Sequence, residues 1–126
     1  MAAHCILVVD DNEVNLKLLR AVLAAEGYRV STAGAAEEAL AVIESCAPDL
    51  ILMDIQLPGM SGLELTRRLK SDPVTHGIRI VGISAYAMKG DEGKALTAGC
   101  DGYVTKPIDV MELPQIVAAH LKSRAQ

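Results

Sequence analysis

Residues 5–11 are Cys5-Ile6-Leu7-Val8-Val9-Asp10-Asp11, an unbroken apolar run that ends abruptly in two acidic residues. A strand that is buried on both faces has this pattern, since neither face presents polar side chains to water. The run Leu50-Ile51-Leu52-Met53 has the same pattern and ends at Asp54. Together the two runs predict the central strands of a parallel sheet, with carboxylates directly beyond the ends of the strands.

Three more stretches predict the remaining strands. The stretch from Tyr28 to Ala33 alternates in polarity, which is typical of a strand nearer the edge of a sheet. The other two run from Ile78 to Ile83 and from Tyr103 to Thr105. Helix-spaced apolar residues follow each of the five stretches. This alternation predicts an α/β domain with a five-stranded parallel sheet between helices, a doubly wound (βα)5 sandwich.

The predicted helices carry apolar stripes and end at turn-forming residues. In the first helix the stripe comprises Leu18, Leu19, Val22 and Leu23, and Gly27 suits the left-handed position after the last turn. Pro48 predicts the end of the second helix. The third helix is predicted to begin at Ser61 and Glu64, which have capping-box spacing, and to end at Asp72-Pro73. A fourth helix with a weak apolar pattern is predicted over residues 88–98, before Gly99.

The composition is that of one globular domain. The chain has 126 residues, of which 51% are hydrophobic and 22% are charged, so a single domain over residues 1–126 is expected. The net charge of −4 disfavours binding to the phosphate backbone of a nucleic acid. No apolar stretch approaches the roughly 18 residues of a membrane span, and the N-terminus lacks the basic region of a signal peptide. We therefore expect a cytoplasmic protein with no membrane or nucleic-acid partner.

The three cysteines, Cys5, Cys46 and Cys100, are far apart in the sequence and form no CxxC motif. We expect them to be small buried side chains in a reducing compartment. The three histidines offer no ligand-like spacing beside them. Neither a zinc site nor a catalytic cysteine is predicted.

Polar residues follow the predicted strands at the point where each strand ends. Asp10-Asp11 and Asp54 follow the two buried runs, Ser84 follows the fourth strand, and Lys106 follows the fifth. Since the carboxyl ends of parallel strands lie along one edge of a sheet, these side chains are expected to meet there. Three carboxylates repel one another, and oxygen ligands favour a hard cation such as Mg²⁺. An aspartate beside Mg²⁺ and a lysine is suited to attack phosphorus and to form an acyl phosphate.

Each of these residues also has a purely structural interpretation. Asp10 and Asp11 could cap the first helix, and Asp54 could be a turn residue. Ser84 could be a helix or turn cap, and Lys106 a solvated surface lysine. Their common position at the ends of consecutive strands favours a single site over five separate structural roles.

Four segments resemble the receiver domain of response regulators, the phosphate-accepting module of two-component signalling. They are Val8-Val9-Asp10-Asp11-Asn12, Leu52-Met53-Asp54-Ile55-Gln56-Leu57-Pro58-Gly59-Met60-Ser61-Gly62, Ile83-Ser84-Ala85 and Val104-Thr105-Lys106-Pro107, in the order and spacing of that family. The resemblance covers about residues 4 to 122. It implies a flavodoxin-like sheet with strand order 2-1-3-4-5. Phosphorelay receivers are the most similar members, both single-domain regulators of the cell-division type and receiver modules of hybrid histidine kinases.

The resemblance implies a phosphoacceptor and a metal site. Asp54 would be the phosphoacceptor. Mg²⁺ would be held directly by Asp11, by Asp10 through a water molecule, by Asp54, and by the backbone carbonyl of Gln56. Mn²⁺ is expected to substitute for Mg²⁺.

The resemblance also implies how the phosphoryl group is sensed and by whom. Ser84, Ala85 and Lys106 would contact the phosphoryl group, and a cis bond before Pro107 would aim the lysine inward. Ser84 and Tyr103 would form a switch. The implied partners are a histidine kinase or histidine phosphotransfer protein, and a downstream protein target that binds the face of helix 4, strand 5 and helix 5. No enzymatic activity is expected beyond the protein's own phosphorylation and dephosphorylation.

Three other protein classes fit the sequence less well. An FMN-binding flavodoxin needs a phosphate-binding loop after its first strand, where Asp10-Asp11 would repel the phosphate. A phosphatase of the haloacid dehalogenase type needs two aspartates separated by one residue and a much larger chain. A pseudo-receiver lacks one or more of the acidic residues or the lysine, all of which are present in this sequence.

Overall fold

The computed structural model describes residues 4–55, 60–84, 91–105 and 109–124. The elements in chain order are β1 (Cys5–Val9), α1 (Glu13–Ala25), β2 (Arg29–Ala33), α2 (Ala36–Ser45), β3 (Leu50–Asp54), α3 (Gly62–Ser71), β4 (Arg79–Ser84), α4 (Asp91–Ala98), β5 (Gly102–Thr105) and α5 (Leu113–Arg124). The strands pair in parallel in the order β2-β1-β3-β4-β5. The predicted fold class and strand order are confirmed.

The central strands β1 and β3 are covered on both faces, which explains their unbroken apolar sequences. Side chains alternate between the two faces of the sheet. In β1, Ile6 and Val8 pack with the core on the α1 and α5 face, whereas Leu7 and Val9 pack with the core on the α2 and α3 face. The edge strand β2 instead alternates between exposed and more buried residues, as its sequence predicts.

The helices form two layers, one on each face of the sheet. The buried side chains of α1 and α5 are Leu19, Leu23, Leu113, Val117 and Leu121. Those of α2 and α3 include Ala36, Ala39, Ile43, Leu65 and Leu69. Helix α4 contacts α3 and β5. Within the described ranges, no helix is both long and apolar enough to cross a bilayer.

Three predicted helix boundaries are confirmed by their local geometry. Gly27 follows the C-cap of α1 with a φ of +92°, the left-handed conformation that glycine adopts without strain. Ser61 caps α3, where its Oγ accepts a hydrogen bond from the Glu64 N–H at 3.1 Å. Asp72 is the C-cap of α3. The predicted helix over residues 88–98 is observed as α4 from Asp91, and residues 88–90 lie outside the described ranges.

Two predictions about burial are wrong. Leu18 is 46% exposed because it lies about 100° around the axis of α1 from the buried Leu19. The cysteines are not uniformly buried, since Cys100 is buried, Cys5 is half-buried and Cys46 is exposed. Cys46 is exposed because it caps the C-terminus of α2, beyond the last turn that packs on the sheet.

Candidate functional site

Three predicted site residues, and the residue that precedes a fourth, lie along one edge of the sheet. Asp10 directly follows β1, and Asp54, Ser84 and Thr105 are the last residues of β3, β4 and β5. Asp54 pairs in register with Ile83, and Ser84 pairs with Thr105. The parallel register therefore brings neighbouring strand ends together at the carboxyl edge.

Three carboxylates converge at this edge. One carboxylate oxygen from each of Asp10, Asp11 and Asp54 lies within 4.8 Å of the others. Asp10 is 1% exposed and Asp54 is 3% exposed, whereas Asp11 faces solvent. No other trio of His, Cys, Asp or Glu side chains is this close in the described part of the chain. The convergence predicted from the strand ends is therefore observed.

The Asp10 carboxylate is held by the first residues of α1. The Asn12 N–H donates to its Oδ1 at 2.9 Å, and Asn15 Nδ2 donates to its Oδ2 at 3.4 Å. Asn12 is also the N-cap of α1, accepting hydrogen bonds at 2.9 and 3.2 Å from the N–H groups of Val14 and Asn15. The alternative interpretation of Asp10 and Asp11 as the helix cap is therefore wrong.

The position of Asp54 is fixed by close backbone packing with α3. The Ile55 N–H donates to the Ile83 carbonyl at 2.9 Å, which continues the β3–β4 ladder past Asp54. A Cβ atom added at Gly62 would overlap the Asp54 carbonyl oxygen and would lie 2.7 Å from the Ile55 Cα. Only glycine allows this approach without displacing backbone.

Two contributors to the site, Asn15 and Gly62, were missed by the sequence reasoning. The spacing of Asn12 and Asn15 by one helical turn was a signal for Asn15, because residues three apart share a helix face. For Gly62 the signal was a glycine directly after the N-cap Ser61, a helix position where glycine is unfavourable unless backbone must come close.

The two predicted switch residues are both inside the protein. Ser84 is fully buried at the end of β4. Tyr103 is half-buried on β5 and packs against the core on the α2 and α3 face. Its hydroxyl is buried and has no hydrogen-bond partner among the described residues.

Four predicted site residues lie outside the described residues, namely Gln56, Ala85, Lys106 and Pro107. The predicted metal contact, phosphoryl contacts and cis bond at these positions therefore stay predictions. Lys106 directly follows Thr105, whose strand position is beside Ser84.

The donor set suits a small hard cation. All three converging groups are carboxylates, and Mg²⁺ prefers oxygen ligands and keeps part of its water shell. Two donors, Asp10 and Asp54, are nearly buried, and the third, Asp11, opens to solvent. A cation there would offset the mutual repulsion of the carboxylates and leave coordination positions for a phosphate oxygen. The residues present therefore fit Mg²⁺.

Comparison with known families finds one that matches most of the chain. The family described as the response regulator receiver domain matches residues 6–118. Among curated proteins, the polar-differentiation response regulators DivK of Brucella ovis and Brucella abortus are each 42% identical to this chain over 116 residues. The alignments cover 92% of this chain and 94% of each relative.

Solved structures are similar over nearly the same length. A putative response regulator from Chloroflexus aurantiacus aligns with a TM-score of 0.91 at 32% identity, covering 96% of this chain and 99% of that one. The receiver domain of the sensor histidine kinase PA1611 from Pseudomonas aeruginosa aligns with a TM-score of 0.87 at 33% identity, covering 96% and 99%. That structure has a magnesium ion coordinated in its active site cleft.

Proposed function

Because this chain belongs to the response regulator receiver domain family, we propose that it accepts a phosphoryl group from a phospho-histidine onto Asp54 and then changes a surface that binds a protein target. The observation that carries the proposal is the position of Asp54. It is a buried carboxylate at the end of the central strand β3, within 4.8 Å of the Asp10 and Asp11 carboxylates.

The proposed reaction is transfer of one phosphoryl group. An Asp54 carboxylate oxygen attacks phosphorus, and the bond between phosphorus and the donor imidazole nitrogen breaks. The nitrogen leaves with the electron pair, and an acyl phosphate forms on Asp54. Attack by water on phosphorus later returns the carboxylate and releases inorganic phosphate. We propose no reaction on other substrates.

Asp10, Asp11 and Asp54 would hold Mg²⁺, with the backbone carbonyl of Gln56 as a further ligand and Mn²⁺ as a substitute. When bound, the cation supplies positive charge that offsets the phosphoryl oxygens. The protein's own contribution is to hold the carboxylates together before the metal arrives. The hydrogen bonds from the Asn12 N–H and from Asn15 to Asp10 support this role.

The remaining contacts to the phosphoryl group would come from the ends of β4 and β5. Ser84 ends β4 beside Thr105, and the residues that follow these two are Ala85 and Lys106. We propose that the Ser84 hydroxyl, the Ala85 backbone N–H and the Lys106 ammonium bind phosphoryl oxygens. A cis bond before Pro107 would direct the lysine towards them. Charge-assisted hydrogen bonds of this kind are stronger than neutral ones.

The switch would connect Ser84 to Tyr103. Movement of the Ser84 hydroxyl towards a phosphoryl group would leave space that the Tyr103 ring can fill, and the outer face of α4, β5 and α5 would change. One observation supports this surface as the one that binds the target, and a second supports movement of the Tyr103 ring. Leu96 on α4 and Met111 before α5 are large exposed apolar residues. The Tyr103 hydroxyl also lacks a hydrogen-bond partner in the described ranges, so ring movement breaks no such bond there.

The proposed phosphate donor is a histidine kinase or a histidine phosphotransfer protein, and the proposed compartment is the cytoplasm. Family membership supports such a donor and a downstream protein target. The net charge of −4 supports a protein target over a nucleic acid.

The test is phosphorylation of Asp54→Asn by acetyl phosphate and by a panel of autophosphorylated histidine kinases. The variant should fold with a cooperative melt and take up no label, because an amide cannot form the acyl phosphate. Asp72→Asn is the matched control, since Asp72 is an exposed residue at the end of α3 and should leave labelling unchanged.

Undiminished labelling of folded Asp54→Asn would overturn the proposal. The surface change is measured by NMR with and without beryllofluoride, a stable mimic of the phosphoryl group. Shifts at Ser84, residues 91–98 and Tyr103 are expected. Shifts confined to the surroundings of Asp54 would mean that no surface switch exists.

A further inference from the structure

A cavity lies at the opposite end of the sheet from the acidic edge. Its volume is about 320 Å³, and it opens between the C-terminal end of α2 and the first residues of β1 and β2. Two cysteines contribute to its wall, Cys5 as the first residue of β1 and Cys46 as the C-cap of α2. The fold therefore places two cysteines that are distant in sequence in the wall of one cavity.

The two cysteines line the same cavity, and both are free. They are near enough for Cys46 to raise the pKa of the Cys5 thiol. The surrounding backbone keeps them together, because the Cys5 N–H donates to Asp49 Oδ2 at 2.8 Å and the Asp49 N–H donates to the Cys5 carbonyl at 2.8 Å. These bonds fix the segment that follows Cys46 against the start of β1.

The two thiols differ in access to solvent. Cys46 is exposed, whereas Cys5 is half-buried behind it. Burial raises the pKa of the Cys5 thiol, and the nearby Cys46 thiol and Asp49 carboxylate raise it further, whereas the Arg29 charge lowers it. A reagent from solvent therefore meets Cys46 first, and Cys5 is the neighbour that can react with the product.

We propose that Cys5 and Cys46 form a thiol–disulfide exchange site that reacts with small disulfides such as oxidised glutathione and closes an intrachain disulfide. The Cys46 thiolate attacks one glutathione sulfur, the glutathione disulfide breaks, and one glutathione leaves as a thiolate that takes a proton. The Cys5 thiolate, having lost its proton to solvent, then attacks the Cys46 sulfur and releases the second glutathione. Two protein thiols are oxidised, and one glutathione disulfide is reduced to two thiols.

The crosslink would join the end of α2 to the start of β1. Closure requires the two sulfurs to approach to a bond length of about 2.05 Å. Cys46 can make this adjustment because its side chain is exposed and is not fixed by core packing. The closed loop contains β1, α1, β2 and α2. Restricting that loop in the unfolded chain should raise the Tm by roughly 5–10 °C.

The experiment is exposure of the native protein to oxidised glutathione, followed by alkylation of remaining thiols, mass measurement of the intact chain and peptide mapping. The wild-type chain should carry a Cys5–Cys46 disulfide, a free Cys100 and no glutathione. Cys5→Ser should accumulate glutathione on Cys46, since the resolving thiol is absent. Cys46→Ser should form neither product. The matched control is Cys100→Ala, which removes a buried thiol and should react like the wild type.

Either of two results would overturn the proposal. One is a stable glutathione adduct on wild-type Cys46 in place of the intrachain disulfide, because Cys5 would then not resolve it. The other is a dimer linked through Cys46 of two chains in place of the intrachain bond. Both results come from the wild-type protein, so the test does not depend on the folding of any variant.

Discussion

At the scale of single residues, Gly62 controls how closely α3 approaches the acidic strand. An added Cβ would overlap the Asp54 carbonyl oxygen and would lie 2.7 Å from the Ile55 Cα. Both atoms belong to the backbone, so the overlap can be relieved only if α3 moves away from β3. We expect Gly62→Ala to lower the free energy of unfolding by about 1–3 kcal/mol and to slow phosphorylation of Asp54. Urea unfolding and the rate of labelling by acetyl phosphate measure the two effects.

Gly93 provides the matched control for Gly62. It lies within α4, and an added Cβ would meet nothing within 4 Å. Alanine is favoured over glycine inside a helix by about 1 kcal/mol, so Gly93→Ala should stabilise the protein. The two glycine substitutions should thus have opposite signs. Wild-type stability of Gly62→Ala would show that the approach of α3 to β3 is not tight.

The residues of the site differ in how far sequence could predict them. The convergence of Asp10, Asp11 and Asp54 was predictable, because the carboxyl ends of parallel strands lie on one edge whatever the details of packing. The support from Asn15 was not, since it depends on which rotamer reaches Asp10. The closeness of the Cys5 and Cys46 thiols was also not predictable, because it depends on where the end of α2 lies against β1.

At the scale of elements, Asp101 connects α3 and β4 to the start of β5. Its Oδ2 accepts hydrogen bonds from Lys70 Nζ on α3 and from the Ile80 N–H, each at 2.8 Å. Its Oδ1 accepts one from Arg79 at 3.2 Å. Burial alone would raise the pKa of Asp101, but the hydrogen bonds from Lys70 and the Ile80 N–H, the Lys70 charge and the Arg79 hydrogen bond together lower it below the ordinary value of 3.8.

The lowered pKa of Asp101 predicts a pH dependence of stability. A carboxyl whose pKa falls on folding stabilises the protein above its unfolded pKa, and this stabilisation is lost as the pH falls through the folded pKa. We expect Asp101→Asn to lower the free energy of unfolding by about 1–3 kcal/mol near pH 7. The difference from the wild type should shrink as the pH falls below about 4 and continue to shrink towards the lower folded pKa. Urea unfolding across this pH range measures it.

An exposed carboxyl on another helix is the control for Asp101. Glu44→Gln on α2 removes the same charge at the surface, and its stability should follow the wild type across the pH range. An Asp101→Asn protein whose deficit stays constant down to about pH 3 would contradict the prediction, because the loss would then not come from the charged form.

The strands were more predictable than the buried faces of the helices. All five strands were predicted to within a residue at each end, because an unbroken apolar run indicates a strand covered on both faces and an alternating run indicates a strand nearer the edge. The stripe of α1 was less reliable, and Leu18 was wrongly assigned to it. A helix that packs on the sheet through one face exposes about half its surface. The sequence therefore does not show whether apolar residues at the edge of the stripe are buried or exposed.

At the scale of the whole molecule, the acidic site links metal binding to stability. Three carboxylates held within 4.8 Å repel one another in the folded protein and separate when it unfolds. Their repulsion therefore lowers the stability of the metal-free folded state. A cation that binds only the folded state adds stability by mass action, about 2.7 kcal/mol when its concentration is about 100 times the Kd. Metal removal should therefore change the melting of the entire domain.

Asp11→Ala tests this linkage, because Asp11 is exposed and its truncation leaves no cavity in the core. The wild-type Tm should rise by roughly 10 °C between EDTA and saturating Mg²⁺. Asp11→Ala should lose most of that rise, yet melt above the wild type in EDTA because one repelling charge is gone. Glu13→Ala makes the same change in net charge two residues away and should keep the Mg²⁺-dependent rise. Thermal melts followed by circular dichroism make the comparison, and a full Mg²⁺ effect in Asp11→Ala would place the metal elsewhere.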